Sequence, residues 1–207
     1  MELLNRLINV ENYWIRFELA LIQLEGKANS DVISHRAMTI FNALFDKDDE
    51  ILMINGVSND IHDKKAYPPK MTRFLRNKKL IYGLTCKTVP YEFDEEEVQL
   101  ETQRYSLKVK KEDIRLQYLF KAIENVDFAV KPRVNGSIYL LNVTKEIVFH
   151  MYDDRGCIVY SFDKETLLPL YTNFRSGYTT LTASQLTVNL NKAYTIFMKR
   201  QKKRKSE

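Results

Sequence analysis

The densest group of chemically competent side chains in the sequence lies between His150 and Arg155. It combines an imidazole, two adjacent carboxylates at Asp153 and Asp154, and the guanidinium of Arg155. In a metal-dependent phosphodiesterase or nuclease, such carboxylates hold Mg²⁺, a histidine acts as general base and an arginine binds the phosphate. One enzymatic hypothesis is therefore centred on this segment.

The same segment also has the composition of a hairpin turn, and this interpretation is the favoured one. In Asp-Asp-Arg-Gly the acidic side chains can accept hydrogen bonds from local amides, with Gly156 at a positive φ. Adjacent carboxylates point apart in an extended chain, so a shared metal ion requires an unusual backbone. His150 alternates with Phe149 and Met151, which predicts an ordinary hydrogen-bonded histidine within a sheet.

Other motifs of catalytic or cofactor-binding proteins are absent from the sequence. No histidine or cysteine spacing supports zinc, and no glycine motif supports a dinucleotide or a P-loop nucleotide. None of the serines lies in a nucleophile elbow, and Cys86 and Cys157 are both predicted to be buried, reduced thiols. We therefore expect no cofactor and no bound metal, and the motifs favour a protein that is not an enzyme.

Charged side chains within apolar segments are candidates for an internal polar pocket. Arg16 and Glu18 project to the same face of one predicted strand, and Arg36 interrupts the apolar side of a predicted helix. Buried pairs, either Arg16 with Glu18 or Arg36 with Asp153, are the structural interpretation. A polar pocket lined by these groups is the functional one.

Two further basic segments are candidates for contacts with anions. Lys131 and Arg133 flank a proline, which favours a solvated loop over a contact with phosphate or an acidic partner. The C-terminal tail contains six basic residues, which are Lys199, Arg200, Lys202, Lys203, Arg204 and Lys205. These six exceed the net charge of +5, so the rest of the chain is close to neutral. Such a tail attracts nucleic acid weakly, non-specifically and in a salt-sensitive way.

The elements that would position these residues alternate between helical and extended periodicity. Helical spacing predicts four early elements, at residues 2–10, from a cap at Ser30 to Phe45, at 71–76 and at 112–126. Extended spacing predicts strands at residues 13–19, 51–54, 80–93 and 98–109, with a bulge near Thr102 and a polar loop at 56–69. Residues 137–161 have the turns and alternation of a three-stranded antiparallel meander.

These patterns predict an α+β fold in which a mainly antiparallel sheet with a C-terminal meander is packed on one face by three or four helices. Residues 1–198 are expected to form one globular domain, followed by a disordered basic tail at 199–207. The content of 44% hydrophobic and 12% aromatic residues is sufficient for a core. No segment resembles a signal peptide or a membrane span, so we expect a cytoplasmic protein.

Several short motifs together resemble one uncharacterised bacterial family. They are Ile15 to Leu19, Arg36-Ala37 before Ile40-Phe41, Lys131 to Arg133, Asn142 to Thr144, Ile147 to Tyr152, Asp153 to Gly156 and Leu168 to Tyr171. The resemblance covers about residues 13–175, and the family is a domain of unknown function found chiefly in Gram-positive bacteria. It implies a small cytosolic protein with no established activity, cofactor or catalytic residues.

The missing catalytic motifs, the neutral body and the aromatic content favour a non-enzymatic protein-interaction module. One task of such a module is to neutralise a partner such as a toxin. Tyr13, Trp14 and Tyr152 are the predicted anchors of the interface, because aromatic side chains dominate binding energy. The alternatives are the metal-dependent phosphodiesterase centred on His150 to Arg155, and an RNA-associated protein that acts through the basic tail.

Overall fold

One eight-stranded antiparallel sheet organises the described part of this computed structural model, which comprises residues 2–9, 12–21, 26–60, 69–90, 100–128, 130–175 and 186–189. Within these ranges the α-helices are α1 (Glu2–Asn9), α2 (Gly26–Leu44), α3 (Leu116–Glu124) and α4 (Lys164–Arg175). Short 3-10 helices lie at Met71–Phe74, Lys78–Gly83, Lys111–Asp113 and Asn125–Asp127. None of the described helices combines the length and apolar character needed to cross a bilayer.

The strands follow one another in the sheet in an order that differs from their order in the chain. They are β1 (Tyr13–Glu18), β2 (Ile51–Asp60), β3 (Thr85–Pro90), β4 (Leu100–Val109), β5 (Ser137–Asn142), β6 (Ile147–Met151), β7 (Gly156–Ser161) and β8 (Leu186–Asn189). The spatial order is β3-β4-β2-β5-β6-β7-β1-β8, and every pairing is antiparallel. The predicted α+β fold and its C-terminal meander, β5-β6-β7, are confirmed.

Helices α2, α3 and α4 cover one face of the sheet, which we call the inner face. An aromatic cluster joins this layer to the sheet: Phe41 stacks on Phe45 with 4.2 Å between ring centroids, and it meets Phe120 and Phe149 edge-on. All four rings are at most 1% exposed. Since a buried phenylalanine contributes about 1.5–3 kcal/mol, this cluster is a major source of the stability of the inner layer.

Helix α1 covers the opposite face, which we call the outer face. Leu4 and Leu7 are fully buried there against Ile54, Leu141 and Val148. The prediction that all helices lie on one face is therefore wrong for α1. The reason is that the central strands are apolar on both faces, so a second cluster of buried side chains forms on the outer one.

Helix α2 begins earlier than its sequence indicates. It starts at Gly26, so Ser30, the predicted cap, lies inside the helix. The Lys121 ammonium donates a hydrogen bond to the Ser30 hydroxyl (2.6 Å) and also pairs with Glu124 (2.6 Å). The Ser30 hydroxyl therefore joins α2 to α3, which is a tertiary role that helix periodicity does not reveal.

Strand β2 is longer than predicted. It continues past Ile54 to Asp60, so the predicted loop at 56–69 is wrong for its first five residues. Three of these residues, Ser58 to Asp60, are polar, but all five pair without interruption with β4, and the hydroxyls of Ser58 and Thr102 share a hydrogen bond of 2.9 Å. Because the register is unbroken, the bulge predicted near Thr102 is also wrong.

The strand predicted over residues 80–93 begins later in the structure, and residues 91–93 lie outside the described part. Lys78–Gly83 forms a 3-10 helix whose first turn is capped by the Asn77 side chain, and β3 follows it. This strand lies at the edge of the sheet and exposes Cys86, whereas Cys157 in β7 is buried. The prediction of two buried thiols is therefore correct only for Cys157.

A buried carboxylate fastens the turn after α2 to the turn between β5 and β6. Asp49, 6% exposed, accepts hydrogen bonds from the Asp46 amide (2.7 Å) and the Asn142 side chain (2.7 Å). Lys145 lies 3.1 Å from the same oxygen and also donates to the carbonyl of Leu44 (3.1 Å). Burial acts to raise the pKa of Asp49, but these three contacts outweigh it and hold the pKa below its ordinary value.

The Asp49 network predicts acid sensitivity. Because the folded-state pKa is lowered, ionised Asp49 stabilises the fold above its unfolded-state pKa of about 3.9, and this contribution is lost as the pH falls through the folded-state value. We expect Asp49→Asn to lower the free energy of unfolding by about 1–2 kcal/mol at neutral pH, and by less in acid. Urea unfolding across the acidic range measures this, with the exposed Asp48→Asn as control. A difference that stays constant with pH would contradict it.

Candidate functional site

His150 lies on the outer face in β6 and is 9% exposed. Its Nδ1 donates a hydrogen bond to the carbonyl of Ile138 (2.9 Å), and its ring stacks on Tyr139 with 4.2 Å between centroids. Burial lowers the pKa of His150, so the imidazole is neutral at neutral pH. These are the features of the hydrogen-bonded sheet histidine that the sequence favours.

Asp153 and Arg155 form the predicted turn. Asp153 is 3% exposed, and it accepts hydrogen bonds from the Arg155 amide (2.8 Å) and from Nε of the Arg155 side chain (2.6 Å). A second guanidinium nitrogen of Arg155 contacts the same carboxylate. The hydrogen bond to Asp153 is the main reason that the pKa of Arg155 is raised. The buried negative charge is thus compensated within the turn itself.

Three carboxylates converge beside this turn. Oxygen atoms of Asp127, Asp153 and Asp154 lie within 4.8 Å of one another, and Arg155 is 3.6 Å from Asp127. Burial raises the pKa of Asp154, and the nearby charge of Asp153 raises it further. The three oxygens could hold a divalent cation only in competition with Arg155, which already pairs with two of the acids. The phosphodiesterase hypothesis for this segment therefore stays a prediction.

Gly156 has a different role from the predicted one. Its φ is not in the positive region. A Cβ atom at this position would lie 2.3 Å from the Tyr152 hydroxyl and 2.6 Å from the carbonyl of Phe17. The glycine is needed because β1 and the Tyr152 side chain approach the backbone closely, and not because the turn requires a left-handed residue.

The other charged candidates are dispersed over the fold. Arg16 and Glu18 form the predicted pair (3.5 Å) on β1, but their side chains are 41% and 46% exposed, so the pair is not buried. Arg36 is 1% exposed and donates hydrogen bonds to the carbonyls of Glu18 and Leu19. Asp153, its predicted partner, pairs with Arg155 instead. These residues do not assemble into one pocket.

The predicted aromatic anchors are all partly buried. Tyr13 packs against the inner core. Tyr152 lies beneath the guanidinium of Arg16, 5.6 Å from its ring centroid, and Trp14 is opposite Tyr160 in the pairing of β1 with β7. Their role as interface anchors stays a prediction. The six basic residues of the tail lie outside the described residues.

A cavity of about 700 Å³ lies between two segments on the inner side of the sheet. We call it the basic pocket. One wall comes from residues 69–74, and the other comes from residues 130–135, which include the predicted anion-binding pair Lys131 and Arg133. Lys70 and Arg73 complete a set of four cationic side chains, and none of the described lining residues is acidic.

Hydrogen bonds from three directions hold the 130–135 wall in place. The Val134 amide donates to the carbonyl of Ala122 in α3 (3.0 Å), and the buried Asn125 side chain donates to the carbonyl of Pro132 (2.9 Å). The guanidinium of Arg73 donates to the carbonyl of Arg133. The cations of this wall therefore project from a backbone that hydrogen bonds hold in place, and the side chains of Lys131 and Arg133 are exposed to solvent.

The floor of the pocket comes from β2. Asn55 is 1% exposed, and its Oδ1 has no hydrogen-bond partner among the described residues. Gly136, at φ 80°, approaches β2 so closely that a Cβ atom there would lie 2.1 Å from the carbonyl of Gly56. This approach brings the 130–135 wall down onto the sheet beside Asn55. A buried unsatisfied acceptor costs about 1–3 kcal/mol, and a donor from water or from a ligand in the cavity would remove this cost.

Sequence reasoning missed Lys70, Arg73 and Asn55. Lys70 and Arg73 precede and follow Met71 in a segment without a recognisable motif, and 60 residues separate Arg73 from Arg133. The isolated bridge between Leu75 and Ile114 joins the 69–74 wall to the segment before α3, and the hydrogen bond from Arg73 to the carbonyl of Arg133 joins the two walls. Nothing in the spacing of the bases indicates that contact.

Comparison with known proteins identifies the family of the chain. The domain of unknown function DUF3885 matches residues 3–177. The chain belongs to the DUF3885 family. It is also 31% identical over 194 residues to the uncharacterized protein YnaE of Bacillus subtilis (strain 168), which covers 84% of this chain and 89% of YnaE. No solved structure gives a significant match. The resemblance to an uncharacterised family is confirmed.

The close approach at Gly156 predicts that substitution to alanine is destabilising. We expect Gly156→Ala to lower the free energy of unfolding by about 1–3 kcal/mol, since the added methyl group must displace Tyr152 or Phe17. Chemical denaturation measures the change. Gly83→Ala is the matched control, because its Cβ would lie 3.7 Å from Leu107 and should be tolerated. Equal effects of the two substitutions would contradict this explanation.

Substitutions in the turn at Asp153 can distinguish the two hypotheses for it, an ion-paired turn and a metal site. If Arg155 compensates the acids, Asp153→Ala should lower the free energy of unfolding by about 1–3 kcal/mol. Neither Mg²⁺ nor a chelator should then change the melting temperature of the unsubstituted protein. A rise of the melting temperature with Mg²⁺ that is lost in Asp127→Asn would instead favour the phosphodiesterase hypothesis.

Proposed function

We propose that this DUF3885 protein is a cytosolic, non-enzymatic protein-interaction module that binds its partner at the basic pocket. A module of this kind is suited to neutralising a partner such as a toxin. The observation that carries the proposal is the combination, at one place, of exposed apolar side chains with a preorganised group of cations. Interfaces gain affinity from the apolar anchors and orientation from the charges.

The apolar part of the surface lies in the connection between α3 and β5. Phe128 is 46% exposed and Val130 is 56% exposed, and Val130 also lines the pocket. Large apolar side chains in such a position have an unfavourable contact with water that a partner would remove. Both residues follow the 3-10 helix Asn125–Asp127, and Asn125 is one of the groups that hold the pocket wall.

The charge of the pocket is local. The chain outside its basic tail is close to neutral, yet four cations surround one cavity. Binding along a nucleic acid requires an extended basic surface that contacts the phosphate backbone, whereas binding an acidic protein requires only a local basic patch. The distribution therefore favours a protein partner. RNA association through the tail is the alternative, and the experiment must distinguish it from binding of a protein partner.

Affinity purification from the native host tests the proposal. The tagged full chain, a chain ending at Met198, and the variant Val130→Asp are incubated with nuclease-treated lysate and washed with salt. We expect a stoichiometric protein partner on the first two and its loss from Val130→Asp, because a charge is placed in the apolar rim. Val143→Asp, an exposed valine in the β5-β6 turn, is the control that should retain the partner.

Two results would contradict the proposal. Recovery of nucleic acid alone, and only with the tail present, would favour RNA association. Recovery of nothing by any version would move the phosphodiesterase hypothesis ahead of the interaction hypothesis.

A further inference from the structure

The basic pocket has a chemical specificity that narrows the kind of partner it accepts. We infer that its occupant is an acidic segment of a polypeptide, with carboxylates on both sides of an aromatic or large aliphatic side chain. The inference rests on the proposed function and deepens it, since it names the part of the partner that enters the pocket.

The charge of the pocket favours an anionic occupant. Lys70, Arg73, Lys131 and Arg133 surround the cavity. Nε of Arg73 is buried and has no hydrogen-bond partner among the described residues, although another nitrogen of the same guanidinium is held by the carbonyl of Arg133. An oriented guanidinium with an unused donor is a site for a carboxylate or a phosphate. Four cations suit an occupant with several negative charges.

The amide of Asn55 on the floor of the pocket favours an occupant that carries a hydrogen-bond donor. Its unpartnered Oδ1 needs a donor, and its side chain is 1% exposed. A phosphate diester, or a phosphate monoester in its dianionic form, offers acceptors only, whereas a peptide main chain offers both N–H donors and carbonyl acceptors. Asn55 therefore favours a polypeptide over a phosphate ester.

The size of the cavity and its apolar walls favour an occupant that includes an apolar side chain. Phe74 and Val134 are buried wall residues, and Tyr118 is partly buried beside them. The cavity volume of about 700 Å³ lies in the range of about 300–1,000 Å³ that is usual for ligand sites. A lone carboxylate or phosphate would leave most of this space unfilled. A segment that places an apolar side chain between two acids would use both the walls and the cations.

The guanidinium of Arg115 supports the aromatic wall from behind. It lies 4.8 Å from the ring centroid of Tyr118 and donates a hydrogen bond to the carbonyl of Arg73 (3.3 Å). Arg73 in turn lies over the ring of Phe74, 4.6 Å from its centroid. The aromatic and cationic groups are thus held in mutual contact before any ligand arrives, which lowers the entropy cost of binding.

Fluorescence anisotropy with a defined peptide tests the inference on the full chain. The probe is a fluorescein-labelled peptide in which glutamates flank one tyrosine. The comparison peptides replace either every glutamate by glutamine or the tyrosine by alanine. We expect binding of the probe, and at least about tenfold weaker binding of both comparison peptides. No saturable binding of the probe up to about 1 mM peptide would overturn the inference.

Protein variants locate the binding in the pocket. Lys131→Glu should weaken probe binding by about tenfold or more, whereas Lys87→Glu, an exposed lysine on the outer face of β3, should leave it unchanged. Asn55→Ala should weaken binding of the probe while thermal unfolding shows a folded protein. Equal affinities for the two lysine variants, or an unchanged affinity in Asn55→Ala, would place the peptide elsewhere and overturn the inference.

Competition separates the occupant from other anions. Pyrophosphate and a single-stranded oligonucleotide should displace the probe only through the general effect of ionic strength, which a sodium chloride series measures. Displacement well below the matched ionic strength would overturn the assignment to a polypeptide. If the lysate partner depends on Val130 but the probe fails to bind, the proposed function stands and this inference fails. If the probe binds but no cellular partner is recovered, the pocket accepts an acidic peptide and the proposed function fails.

Discussion

The pairing of β2 along both of its edges holds the two halves of the sheet together. On one side β2 pairs with β4 over all ten residues, and on the other side β5 pairs with it only from Ile51 to Gly56. Strand β5 therefore begins opposite Gly56 of β2. The segment that leads into β5 must cross the inner face of the sheet at this point. The basic pocket lies at this crossing, with Asn55 beneath it. Its position follows from strand pairing and not from the bases themselves.

The parts of the fold that the sequence predicts are those in which neighbours in the chain are neighbours in space. The β5-β6-β7 meander is one such part, because short turns and alternating apolar residues determine its pairing. The pairing of β2 with β4 joins Ser58 to Thr102, which are 44 residues apart. A local sequence pattern cannot predict a contact between residues so far apart in the chain. Polar residues at the end of β2 have the composition of a loop, and only the presence of β4 makes them a strand.

The same distinction applies to the candidate sites. The acids and arginine of the turn at Asp153 are adjacent in the chain, so composition alone draws attention to them, but in the structure Arg155 already pairs with Asp153. Two of the buried polar groups that lack a hydrogen-bond partner among the described residues, Asn55 and Arg73, line the basic pocket and come from separate segments. A sequence displays which groups are close along the chain, whereas binding depends on which groups remain unsatisfied after folding.

The cations of the basic pocket have a consequence for the free protein. Like charges held around one cavity repel one another, and this repulsion is present in the folded state but is relieved when the chain unfolds. Added salt screens this repulsion, so it should favour the native state without any anion binding specifically in the pocket. Under the proposed function, binding of an acidic segment would relieve the same repulsion, so the stability of the fold would rise with occupancy of the pocket.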